Sequence, residues 1–204
     1  MKKIVSFILL IIFYIPLIII YPTIIVGRKN LRRKGRLILC CNHRSGADPV
    51  IMWSRIFRRR FKYMAKAEIF KNKFGGYIFS CIGAYPVNRG QTDLRAIKQT
   101  LGYLKQERAI CIFPEGTRLH GDELAELKSG VIIFALKANA PLVPSVYKNK
   151  LRPFRFNKLT IGKEFNLADE IGYKSGEKIT DEIIAKGIEV LAHKMNALKG
   201  EKSE

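Results

Sequence analysis

Acid is scarce in this chain: 17 Asp and Glu stand against 37 Lys and Arg, a formal net charge of +20 over 204 residues. The scarcity is local. Up to residue 67 there are 15 basic residues and a single acid, Asp48, a net of +14; the remaining 137 residues hold 22 basic and 16 acidic, a net of +6. A nucleic-acid footprint would continue along a whole binding face. Basicity confined to one end, beside the most apolar stretch, points to a membrane surface instead. Cysteine is scarce too. The adjacent Cys40 and Cys41 and the separate Cys81 and Cys111 make neither a disulfide framework nor a metal-ligand spacing. That argues against a stapled secreted domain or a structural zinc site and indicates a reducing compartment. At this length one domain buries a core without staples. No G-x-S-x-G stretch supplies a nucleophilic serine, and no repeat, linker or low-complexity tract interrupts the chain.

What the chain does have is an uncharged run, IVSFILLIIFYIPLIIIYPTIIV, over residues 4–26. As one helix it would be about 34 Å long, against about 30 Å of bilayer hydrocarbon. It is too long for a typical signal-peptide core, and no small-residue cleavage site follows. Lys2 and Lys3 precede it, and Arg28, Lys29, Arg32, Arg33, Lys34 and Arg36 follow. A single span would put the larger cluster in the cytoplasm. Basic flanks on both sides, with Pro16 and Pro22 inside, equally suit a bent hairpin that dips into one leaflet and returns. Either way the expectation is a membrane anchor over residues 1–27, a single further domain over 28–204, and a place on the cytoplasmic face of a membrane.

From Arg36 onward short apolar runs alternate with longer amphipathic ones, which predicts an α/β domain. Residues 36–42, 84–88, 109–114 and 141–147 read as buried strands. Leu94, Ile97, Leu101 and Leu104 form a helical stripe with Thr92 or Asp93 near its start. Further helices are expected over about 125–138 and from about Thr180 to Gly200, the last with Ile184, Ile188, Leu191, Met195 and Leu198 on one face.

Three stretches fall where strands run out into loops, where α/β sheets bind ligands. In CNHRSGADPV, His43 and Asp48 form a His-x4-Asp pair. Asp48 before Pro49 also fits a helix cap with proline at N1, but that reading leaves His43 unused. If the intervening turn folds Asp48 onto the imidazole, the carboxylate fixes the tautomer and stabilises the imidazolium, freeing the other nitrogen to take a proton. With no nucleophile elbow, the hydroxyl to be activated belongs to a substrate. In FPEGTR, Pro114 and Gly116 shape a tight loop that exposes Glu115 and Arg118, although a plain polar turn has the same composition. In GAYPVNRG, Arg89 ends a strand where a guanidinium can grip a phosphate with two parallel bonds, or can simply be solvated.

NHRSGAD, GAYPVNR, FPEGTR and APLVP, in that order behind an apolar run, together resemble the four sequence blocks of the glycerolipid acyltransferases, nearest to the bacterial lysophosphatidic acid acyltransferases. The resemblance covers about residues 36–147. It departs at Leu127, where an aromatic is usual, and at Ser145, where an aliphatic is usual. It implies a mostly parallel or mixed central sheet flanked by helices. It makes His43 the general base and Asp48 its orienting partner. It also implies that Arg89, Glu115, Gly116 and Arg118 bind the acceptor's glycerol phosphate; Lys128 is added on charge and position. His120 and His193 match no role. The implied reaction transfers an acyl chain from acyl-CoA or acyl-acyl-carrier protein to the sn-2 hydroxyl of lysophosphatidate, with no metal or other cofactor and no nucleic-acid partner. The bacterial inner membrane is the implied setting. Glycerol 3-phosphate or a lyso-aminolipid as acceptor, or a non-catalytic binder of anionic lipid or nucleic acid, are the competing readings.

Overall fold

A computed structural model describes residues 2–31, 34–56, 59–88, 93–116 and 126–200. Strand β2 (Leu37–Cys41) is wholly buried. Leu37, Leu39 and Cys41 enter one core, while Ile38 and Cys40 enter the other. An apolar run without alternation is what a strand covered on both faces requires. Around it lie β1 (Thr23–Val26), β3 (Phe61–Lys66), β4 (Ala84–Val87), β5 (Ala109–Ile112), β6 (Leu142–Tyr147) and β7 (Asn157–Ile161). The sheet order is β1-β7-β6-β2-β5-β3-β4, and every neighbouring pair is parallel except β6 with β7. The expected α/β sheet, mostly parallel and mixed at one pairing, is what the chain adopts.

Helices α1 (Lys2–Ile20), α2 (Asp48–Arg55) and α3 (Lys73–Cys81) contribute to one core, and α4 (Leu94–Lys105), α5 (Gly130–Ala138), α6 (Leu167–Ile171) and α7 (Asp181–Gly200) to the other. Helix α4 begins where the Asp93 carboxylate accepts from the backbone N–H groups of Arg95 and Ala96, a cap worth about 1 kcal/mol. Its buried Ala96, Thr100 and Leu104 stand four residues apart. Helix α5 starts at Gly130, five residues after the expected start. Residues 126–128 instead belong to no regular element, the Lys128 N–H donating to the Pro114 carbonyl at 2.7 Å.

The apolar run over 4–26 is not one helix. Helix α1 stops at Ile20, Pro22 follows, and Thr23–Val26 becomes an edge strand whose ladder is completed by Asn157–Thr160 of β7. Among the described residues, no helix is long and apolar enough to cross a membrane. Helix α1 lies against α2 and α3, with Leu9 buried and Val5 and Leu17 packed on the core. Its other side exposes Ile4, Phe7, Ile8, Ile11, Ile12, Ile15 and Ile19, a stripe at helical spacing. The basic cluster after the run is also divided. Arg36 precedes β2 at the end of the strand away from His43, where it pairs with Glu107 at 3.0 Å and donates to the Ala138 carbonyl. Arg32 and Arg33 lie outside the described residues.

Candidate active site

Strands β2 and β5 are adjacent and parallel, Cys40 beside Ile112, so the turns that follow them meet at one end of the sheet. This is the crevice that open α/β sheets use. His43 leaves β2 and Glu115 leaves β5.

The turn 44–47 carries Asp48 back onto His43. His43 Nδ1 lies 2.8 Å from Asp48 Oδ2, and the same oxygen accepts the backbone N–H groups of Arg44 at 2.7 Å and Ser45 at 2.8 Å. Asp48 therefore does not cap α2: the N-cap position is Ala47, with no side-chain cap bond, while Pro49 occupies the first turn. An oxygen that already accepts two N–H donors requires the third to donate as well. Nδ1 carries the proton, and Nε2 is left as the basic nitrogen. The Asp48 side chain is fully buried and that of His43 10% exposed, so the ion pair formed on protonation would sit in a poorly solvated place. Phe113 stacks on the imidazole with ring centroids 4.4 Å apart, fixing its plane.

Glu115 is 2% exposed and accepts the backbone N–H of His43 through Oε2 at 2.7 Å. Burial raises its carboxyl to about 7, against the lowering effects of the His43 N–H and Arg44; Asp48 raises it further. Here Glu115 braces the turn that carries His43. Gly116 has φ +72°, which costs other L residues about 1–2 kcal/mol. A Cβ there would meet Lys128 Cγ at 3.5 Å, so its conformation, not its space, demands glycine. Arg89 and Arg118 lie outside the described residues, as does His120. His193, on α7, borders a surface groove with Glu170 and Lys186 and takes no part in this site.

Two features of the site were not visible as motifs. Asn42 donates to the Tyr147 carbonyl at 2.9 Å and accepts the Tyr147 N–H at 2.7 Å, riveting the turn before His43 to β6. Beside Phe113 an apolar cavity of about 190 Å³ opens between the ends of β3, β4 and β5 and the start of α5, lined by Met64, Val87, Ile112, Val131 and Phe134, with Lys128 and Gly116 also on its wall. Only Asn42 left a sequence signal, a polar residue closing an apolar strand directly before His43. Burial pushes the thiols of Cys41 and Cys111 well above their ordinary range, which disqualifies them as nucleophiles.

The sequence profile of the acyltransferase family matches residues 23–148, from β1 through β6 and including the whole dyad. This chain belongs to the acyltransferase family. The acyltransferase is 30% identical over 181 residues to the 1-acyl-sn-glycerol-3-phosphate acyltransferase of Bacillus subtilis, covering 85% of this chain and 90% of that one. It is 31% identical over 162 residues to the Streptococcus pneumoniae enzyme of the same name, covering 78% and 57%. Against the Saccharomyces cerevisiae one it is 33% identical over 130 residues, covering 61% and 42%. Its fold is that of the crystal structure of the 1-acyl-sn-glycerophosphate acyltransferase PlsC from Thermotoga maritima, with a TM-score of 0.64 at 22% identity over 89% of this chain and 74% of that one.

Proposed function

We propose that the acyltransferase moves an acyl chain from an acyl thioester, acyl-CoA or acyl-acyl-carrier protein, to the sn-2 hydroxyl of lysophosphatidate at the cytoplasmic face of a membrane. The observation that carries the reading is the buried His43–Asp48 pair at 2.8 Å. Among the described residues no serine, threonine or cysteine is hydrogen-bonded to that imidazole, so a substrate hydroxyl is the group left to activate. His43 Nε2 takes the hydroxyl proton as the oxygen attacks the thioester carbonyl. The tetrahedral adduct then expels the thiolate, which recovers the proton from the imidazolium, leaving ester and free thiol with no enzyme-bound intermediate. Asp48 holds the imidazole in the correct tautomer throughout. The cavity beside Phe113 accommodates acyl carbons, and Arg89, Arg118 and Lys128 take the acceptor phosphate, the two arginines by paired bonds that a lysine does not reproduce. The names of the relatives and the exposed stripe of α1 support a lipid acceptor.

Thiol release from an acyl thioester tests the reading, with lysophosphatidate, glycerol 3-phosphate and a lyso-aminolipid offered in parallel. Turnover restricted to lysophosphatidate is expected. Preference for either alternative reassigns the acceptor, and no thiol release with any of the three contradicts the activity. Arg89→Lys and Arg118→Lys are expected to raise KM for the acceptor well above any change for the thioester. Equal effects on both substrates would place these arginines elsewhere in the machinery.

A further inference from the structure

Strand β6 runs parallel to β2, so the chain leaving Tyr147 emerges at the same end of the sheet as His43, and the Asn42–Tyr147 rivet ties the two together. Strand β7 returns antiparallel from Asn157, and β1 starts beside it with Thr23 opposite Asn157. The C-terminal end of α1, the catalytic turn and the loop over 148–156 therefore share one end of the sheet.

That loop is built, not slack. Leu151 is buried, and buried Asn157 accepts the Arg152 N–H at 2.9 Å while its amide donates to the carbonyls of Arg155 at 2.8 Å and Arg152 at 3.1 Å. The Phe154 N–H donates to the Ile20 carbonyl at 2.6 Å and the Asn157 N–H to that of Pro22 at 2.7 Å, so the loop closes the last turn of α1. Within this frame Phe154 adopts φ +56°, which a bulky L residue rarely enters. Phe154 and Phe156 stand 73% and 83% exposed. Between Tyr147 and Glu164 the chain carries Lys148, Lys150, Arg152, Arg155, Lys158 and Lys163 and no acid.

We propose that the loop over 148–156 is a second membrane-contact element, setting Phe154 and Phe156 into the interface of an anionic bilayer while Lys148, Lys150, Arg152 and Arg155 meet lipid phosphates. The proposal rests on the membrane reading above and adds a contact to it. Aromatic rings favour the interface, and cations beside an anionic leaflet are attracted within a Debye length. A second copy of the chain would set this basic loop against like charge. The apolar stripe of α1, joined to the loop through Ile20, continues the surface toward lipid. A helix lying in the membrane plane leaves the domain free to roll about it. Contact through the loop fixes that roll, so that the end of the sheet bearing His43 faces the layer holding the acceptor.

Full-length Phe156→Trp, compared with its parent, tests this on vesicles of equal parts phosphatidylcholine and phosphatidylglycerol. The added indole is expected to shift to shorter emission wavelength and to be quenched by brominated acyl chains, whereas buried Trp53 supplies the unchanged baseline. Sedimentation with the vesicles while the new indole keeps its water-exposed emission, unquenched, would overturn the proposal and leave α1 as the contact. Failure to sediment at all would remove the membrane reading itself. A shift produced by raising protein concentration without vesicles would assign the loop to a second copy. In a second arm, Phe154→Ser with Phe156→Ser is expected to slow acylation of bilayer-embedded acceptor several-fold and to spare detergent-dispersed acceptor. An equal loss in both would make the loop a support of the fold and would likewise overturn the proposal.

Discussion

Three donors converge on Asp48 Oδ2: His43 Nδ1 and the backbone N–H groups of Arg44 and Ser45. An amide at position 48 can keep both backbone bonds, but it carries no charge to stabilise the imidazolium. Asp48→Asn is therefore expected to lower kcat with little change in melting temperature, by less than removal of the imidazole does. A kcat equal to that of the parent would detach Asp48 from the chemistry. Glu115 offers a second residue-level test. Its folded carboxyl is raised to about 7 from an ordinary 4.5, so the unfolded chain loses this proton first as pH rises. Stability from Glu115 is then present below about pH 4.5 and is lost as pH rises through about 7. Glu115→Gln keeps the acceptor for the His43 N–H and removes the titration. The fall in melting temperature between about pH 5 and about pH 8 is expected to be several degrees smaller in the variant; an identical fall would show that Glu115 does not titrate there. His43 and Asp48 were legible as a pair because they share a short block after an apolar strand; Glu115 was placed at a strand end but read as exposed, whereas it is buried against the His43 N–H. The roles of Phe113 and Asn42 were not legible, although Asn42 shows as a polar residue closing the strand, because they depend on strands brought side by side from 70 or more residues away.

At the scale of elements, three of the four strands read from sequence, β2, β5 and β6, are wholly buried, while the fourth, β4, is an edge strand with Pro86 exposed. Strand β3 was missed because FKYMAK alternates with lysine, and β7 because NKLTI follows an exposed basic loop. Edge strand β1 hid inside the apolar run over 4–26, which only the ladder to β7 divides from α1. The cavity beside Phe113 arises between three strands and α5, and no local pattern announces it. Its proposed use is testable: Val131→Phe fills space at the start of α5 and is expected to shift preference toward shorter acyl thioesters, with an overpacking cost of about 1–3 kcal/mol. An unaltered chain-length profile would move the acyl group out of this cavity.

For the molecule as a whole, one side of α1 covers a core containing Leu9 while the other presents an apolar stripe. Residues 21–26 belong to the sheet, so a clean truncation ends at Ile20. Chain lacking residues 1–20 is expected to leave the membrane fraction and to aggregate, because the core face under α1 is then open to water. A monodisperse truncated protein that acylates bilayer-embedded acceptor at the full rate would show α1 to be dispensable for both. Arg36, paired with Glu107 behind the sheet, is expected to matter little to vesicle binding despite its place in the basic run. The most direct measurement is thiol release by His43→Ala at saturating lysophosphatidate and acyl thioester. A fall in kcat of about 100- to 10,000-fold is expected, with KM for both substrates little changed and the folded signal retained. A kcat close to that of the parent would contradict the assignment of His43 as the base that activates the acceptor.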